Sequence, residues 1–310
     1  MTTKKTLNEQ VNEVLNSRMS VNKKTKTLIK LGVTPYEAMF MARASMVVTP
    51  RRPLAPRRTF TYTFGVEMET INCRPSDFIR AAADLGLSVI DHTAYYNGCH
   101  TDIAEFKLVP DGSLSGSNTA ECVTPALNSN EVGFESLKKC CTALKTIGAT
   151  TNKSCGLHVH IGAANLTDEE YCNVFVNYMM LETAIESFLA PSRRGSNAQW
   201  CYSLRRHERS VLTATTKSEM RQALNYDRYH RVNAEAYNRH QTIEFRQHQG
   251  SVNFKKISAW VKFLGKLVEW SRSNRLENNI DRIEDIPFLN DTEKRYFISR
   301  RTEFEARNAR

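Results

Sequence analysis

Three short stretches of this chain alternate apolar and ionisable residues. A strand turns successive side chains to opposite faces, so each stretch dictates a sheet with one apolar and one charged face. In Phe64-Gly-Val-Glu-Met-Glu69, the residues Phe64, Val66 and Met68 share a face, and Glu67 and Glu69 share the other. In Cys155-Gly-Leu-His-Val-His-Ile-Gly162, the residues Leu157, Val159 and Ile161 oppose His158 and His160. In Thr242-Ile-Glu-Phe-Arg-Gln-His-Gln-Gly250, Ile243 and Phe245 oppose Glu244, Arg246 and His248. Each stretch alone has a structural reading. Two glutamates can sit on a solvated face, a histidine pair can be packing, and a Glu–Arg pair can be a surface salt bridge worth at most about 1 kcal/mol.

Taken together they are harder to dismiss. If the three strands are neighbours, one face collects Glu67, Glu69, His158, His160, Glu244 and Arg246. Glu121 joins from the short strand Ala120–Thr124. Glu67 and Glu69 are ~7 Å apart by strand rise. Carboxylates so crowded need cations, and an oxygen-rich set with imidazoles suits Mg2+ or Mn2+. Arg246 cannot ligate a metal, but its guanidinium suits a carboxylate or phosphate carried in by a substrate. Hard metals beside an anion-binding arginine fit phosphoryl transfer.

The rest of the chain sets the frame. Leu7–Asn16, Lys23–Leu31 and Pro35–Arg43 read as short helices, and Gly32 stops the second. Thr49–Arg58, with three prolines and four arginines in ten residues, reads as a linker. Beyond it, strands are expected at Phe60–Glu69, Ile103–Val109, Ala120–Thr124, Leu157–Ile161 and Thr242–His248. Helices are expected at Ser76–Leu85, around Phe134–Leu144, from Thr167 to about Leu189, at Asn253–Trp270 and at Asp291–Arg307. Strands and helices do not alternate regularly enough for a doubly wound sheet, so the fold class is α+β with a mainly antiparallel sheet. The division is a basic helical segment 1–48, a linker 49–58, a catalytic domain 59–275 and a charged helical tail 276–310.

Hydrophobic residues are 41% and charged residues 25%, which excludes a disordered chain, a collagen-like chain and a coiled-coil rod. No apolar run approaches the ~20 residues of a membrane span. Met1–Glu13 has no apolar signal core, and the eight cysteines include no C-x-x-C pair. A cytoplasmic protein with no membrane partner and free thiols is expected. Of the net charge of +10, residues 1–58 supply +9, from 12 basic and 3 acidic side chains. That segment is either a solvated helical appendage or a contact for an acidic protein or nucleic acid.

Standard nucleotide and hydrolase motifs are missing. There is no phosphate-binding G-x-x-x-x-G-K-[ST] or G-x-G-x-x-G, and Leu114 stands where a nucleophile elbow needs serine. A thiol nucleophile at Cys155 is disfavoured, because Cys155 and His158 share one short segment.

The motif order G-V-E-M-E, D-G-S-L, E-C-V-T-P, G-L-H-V-H-I-G and T-I-E-F-R-x-x-x-G resembles the amidoligase family, grouped with glutamine synthetase and glutamate–cysteine ligase. The resemblance runs from about Phe60 to about Trp270. It implies a glutamine synthetase-like, mainly antiparallel sheet with helices on one face and with two or three divalent metals and ATP on its concave face. On that likeness Glu67, Glu69, Glu121, His158 and Glu244 are metal ligands. His160 lies nearer the nucleotide phosphates, and Arg246 contacts the substrate carboxylate or the transferred phosphate. Arg231 and Asn233 are further phosphate or substrate contacts, and Asp111 of the D-G-S-L turn has no assigned role. The implied activity is an ATP-dependent carboxylate–amine ligase working through an acyl phosphate, with small-molecule or peptide acids and amines as substrates. Two other readings stay open: a divalent-metal-dependent phosphoesterase or nuclease built on the same carboxylates, and a non-enzymatic binding protein.

Overall fold

The alternating segments become neighbours in one sheet. The computed structural model describes residues 5–17, 19, 21–44, 61–94, 104–195 and 198–308; the expected linker 49–58 and the start of the strand expected at Ile103–Val109 lie outside them. The first three helices are α1 (Leu7–Asn16), α2 (Val21–Lys30) and α3 (Pro35–Ala44). They enclose a small core of Val14, Leu28, Ala38 and Ala42. A Thr6–Glu9 capping box opens α1, each partner satisfying one of the free amides at the helix start.

Next come β1 (Thr63–Thr70), α4 (Pro75–Ala83), β2 (Val89–Asp91), β3 (Phe106–Val109), β4 (Ala120–Val123), β5 (Leu127–Asn128) and α5 (Glu131–Thr146). They are followed by β6 (Gly156–Gly162), α6 (Asp168–Ser187), α7 (Glu208–Thr213), α8 (Lys217–Ala223), β7 (Val232–Asn233), α9 (Ala236–His240) and β8 (Thr242–Gln249). The chain closes with α10 (Phe254–Ser271) and α11 (Asp291–Asn308). The sheet order is β2-β3-β4-β1-β6-β8-β7, with β5 also pairing with β1. Every pairing is antiparallel except β2 with β3. The fold is therefore mixed α and β around an open, mostly antiparallel sheet.

Packing follows the alternation. Phe64, Val66, Met68, Leu157, Val159, Ile161, Ile243 and Phe245 are all buried in the main core, each worth about 1.5–3 kcal/mol. They face α5, α6 and α10. Helix α6, opened by a Thr167–Glu170 capping box, is buried around most of its circumference. Phe297 of α11 closes the layer against Phe188, with ring centroids 4.6 Å apart. No helix among the described residues is long and apolar enough to cross a membrane. The seven described cysteines are free and buried.

One departure from the expected alternation matters for the site. Leu157 pairs with His248 but Val159 pairs with Phe245, so β8 carries one extra residue there. Such a bulge reverses the facing of every residue beyond it. His248 was expected beside Glu244 and Arg246. Instead it packs on Trp260 of α10, with ring centroids 5.5 Å apart.

Candidate active site

Four adjacent strands, β4, β1, β6 and β8, present the ionisable face. Registers place Glu69 opposite Glu121, Glu67 opposite His158 and His160 opposite Glu244. Side chains directly opposite on one face lie close enough to interact, so the contacts follow from the pairing. His158 Nδ1 lies 3.0 Å from Glu67, 3.7 Å from Glu244 and 4.0 Å from Glu121. Its Nε2 lies 3.4 Å from Glu69. His160 Nε2 is 3.1 Å from Glu67 Oε1, and its Nδ1 is 2.9 Å from Thr242 Oγ1.

Two groups of ligand atoms emerge, each within 4.8 Å of one another: Glu67, His160 and Glu244; and Glu67, Glu121 and His158. Glu67 belongs to both. Carboxylate oxygens with an imidazole nitrogen fit a divalent cation, and the imidazoles tilt the choice from Mg2+ toward Mn2+. Glu69 turns to the backbone as well, accepting from Gly156 N. A Cβ at position 156 would stand 3.0 Å from His158 Nε2 and 3.3 Å from Glu69 Oε2. Only glycine fits without moving them.

The electrostatics reflect this crowding. Burial pushes the Glu67 carboxyl up, but His160 and His158 outweigh it and hold Glu67 well below the usual carboxylate range. Burial, with the charges of Glu67, Glu69 and Asp111, drives Glu121 well above that range. Burial also opposes the charge of Glu244, yet Arg246 and His160 keep that carboxyl low. Glu67 pulls the His160 imidazole up against the effect of burial. Glu121 thus holds its proton to higher pH than an ordinary carboxyl, and a cation bound there would compete with that proton.

Arg246 NH1 donates to Glu244 Oε1, and Asn233 Nδ2 donates to Glu244 Oε2 at 2.6 Å. Asn233 therefore orients Glu244. Arg231, expected as a phosphate or substrate contact, is engaged by protein groups. Its buried guanidinium pairs with Glu182 of α6 at 2.8 Å, with Glu186, and with the Gly195 carbonyl at 2.7 Å. It braces α6.

A cavity of about 260 Å³ opens beside this centre, and Glu69, His158 and Arg246 form part of its wall. Its other walls include Arg193, Trp200 and Tyr229. Arg193 is buried, and its NH2 donates to the Cys155 carbonyl at 2.7 Å. Sequence reasoning missed these three, since single residues in loops have no periodic signature. Asp111, left without a role, also lines this cavity.

A sheet carrying a carboxylate–imidazole cluster, with an arginine lining the adjacent cavity, forms a candidate metal-binding site. Residues 61–268, two thirds of the chain, match the family model described as "Putative amidoligase enzyme", and the chain belongs to that family. Membership supports an enzyme of ligase type. No curated protein matches the chain.

Proposed function

We propose that the protein is an ATP-dependent carboxylate–amine ligase that forms an amide bond through an acyl phosphate, on a sheet of glutamine synthetase type. The observation carrying this reading is the position of Glu67 in two ligand groups, with Arg246 held against Glu244 at the cavity. Glu67, Glu121 and His158 would hold one divalent cation, and Glu67, His160 and Glu244 a second, with Glu69 beside them. Bound there, Mg2+ or Mn2+ would neutralise charge on ATP and the acid.

The chain's own residues have the following parts. Arg246 and Arg193 face the cavity and attract the acid and the transferred phosphoryl group. A carboxylate oxygen attacks the γ-phosphorus, and the bond to the ADP oxygen breaks. Arg246 stabilises charge on the phosphoryl oxygens. The amine then attacks the acyl carbon, the bond to phosphate breaks, and the amine proton leaves with phosphate or solvent. Asn233 keeps Glu244 oriented throughout. Trp200 and Tyr229 limit water at the reacting atoms.

The test is phosphate release from ATP and Mg2+ with pools of acids and amines, read beside amide formation by mass spectrometry. Glu244→Ala and Arg246→Ala should abolish both. Wild-type turnover in both variants, or metal-dependent phosphodiester cleavage without ATP, would overturn the reading.

A further inference from the structure

The N-terminal unit meets the main body at a second recess. Thr34, Pro35 and Tyr36, at the start of α3, form one wall. Arg205, Arg206 and Arg209, on and just before α7, stand on the other, and the space between is about 760 Å³. The α3 wall lies outside the family-matched residues 61–268, so this recess is built on an element the matched region lacks.

Its charge is one-sided. Glu208 is the acid of the wall, against three arginines. Among the described residues, Arg206 and Arg209 have no carboxylate within salt-bridge distance. Arg206 is held open by stacking over Tyr202, 4.4 Å from the ring centroid. Tyr36, 54% exposed, offers an aromatic surface within a basic groove. An unpaired, propped guanidinium beside an exposed ring is suited to a carboxylate-bearing chain.

The groove and the cavity share a strip of chain. Trp200 lines the cavity and Arg205 lines the groove. Five residues reach at most about 18 Å. The link is also direct, since Tyr202 N donates to the carbonyl of the cavity residue Tyr229 at 2.8 Å. An extended peptide of about six residues would span both recesses.

We infer that this groove docks an acidic polypeptide and presents one of its carboxylates to the cavity. The inference rests on the ligase reading in one respect. Of the two polyanions a basic groove could hold, only a polypeptide carries the carboxylate that the proposed chemistry consumes.

The test is fluorescence anisotropy of labelled hexaglutamate with the full chain at low salt, against hexaglutamine and hexathymidylate. Hexaglutamate should bind wild type, and hexaglutamine should not bind. Arg206→Glu with Arg209→Glu should weaken hexaglutamate about tenfold or more, with the melting temperature unchanged. Arg206→Gln with Arg209→Gln serves as the milder pair should charge reversal impair folding. Equal binding of hexaglutamine, undiminished binding by both double variants, or tighter binding of hexathymidylate than of hexaglutamate would overturn the inference. Phosphate release on the same samples separates the two ideas. Peptide binding without ATP turnover on any acid sinks the ligase reading alone. Turnover on small acids without peptide binding sinks the groove alone.

Discussion

Asn233 and Glu244 form one unit: the amide of Asn233 donates to Glu244 Oε2 at 2.6 Å across the β7–β8 pairing. Arg246 takes the other carboxylate oxygen. Neither lone-pair direction of Glu244 is left to wander. A buried carboxylate oriented in this way is pre-set for a cation rather than reorganised by it.

Asn233→Leu should therefore leave the fold in place but weaken Mn2+ binding by roughly 10–100-fold, the usual cost of losing a partner that orients a ligand. Titration calorimetry with Mn2+ measures this. Unchanged affinity would show that Glu244 needs no such orientation.

Glu121 gives a pH dependence of definite sign. Burial and the neighbouring carboxylates raise its folded pKa well above 4.5. Between 4.5 and that raised value the folded protein binds the proton that the unfolded chain has lost, so this group makes the metal-free protein less stable as pH rises through the window. Glu121→Gln should flatten that decline. Binding of Mn2+ to wild type should release a proton, seen as different heats in two buffers of unlike ionisation enthalpy. Identical heats in both buffers would refute this account of the cluster.

His248 acts in the opposite sense. Burial against Trp260 lowers its folded pKa from 6.5 to about 3. Between those values the unfolded chain binds more protons, so stability falls with acidification, by about 1.4 kcal/mol per pH unit below 6.5. His248→Phe should make the slope of unfolding free energy against pH shallower by that amount, whatever it does to the midpoint. An unchanged slope in urea titrations across the acidic range would locate the acid sensitivity elsewhere.

Arg231 bears on stability. Arg231→Met leaves Glu182 buried without its partner and should cost about 3–5 kcal/mol. Arg231→Met with Glu182→Met should recover most of it, with Mn2+ affinity near wild type in the double variant. Thermal unfolding and calorimetry decide. Lost Mn2+ binding in a well-folded double variant would return Arg231 to the acidic centre.

Much of this was readable in the residues. The alternation in β1, β6 and β8 announced both faces of the sheet, and with Glu121 it gathered the residues of the two groups, although His160 was assigned to the nucleotide side. His248 was misplaced because a bulge leaves no trace in composition, and parity fails silently beyond it. The pairing of Arg231 could not be read locally, because Glu182 and Glu186 lie some 45 residues away on α6. That helix is buried nearly all round, so its hydrophobic pattern could not mark those acids as bracing groups. Strands of two or three residues, such as β2, β5 and β7, are too short to show a period.

The extra residue in β8 makes that strand a hinge pin between two layers. Before it, Arg246 reaches the cavity. After it, Gln247 accepts from Tyr178 of α6 at 2.7 Å, and His248 meets α10. Removing Gln247 would straighten the strand with the imidazole still inward, directly after Arg246, and would take away the oxygen that Tyr178 binds. It would cost α6 its hydrogen bond to the strand and shift the register on one side of that point. Length changes at this point should therefore be tolerated far less than substitutions, and a library of single-codon deletions would read that intolerance directly.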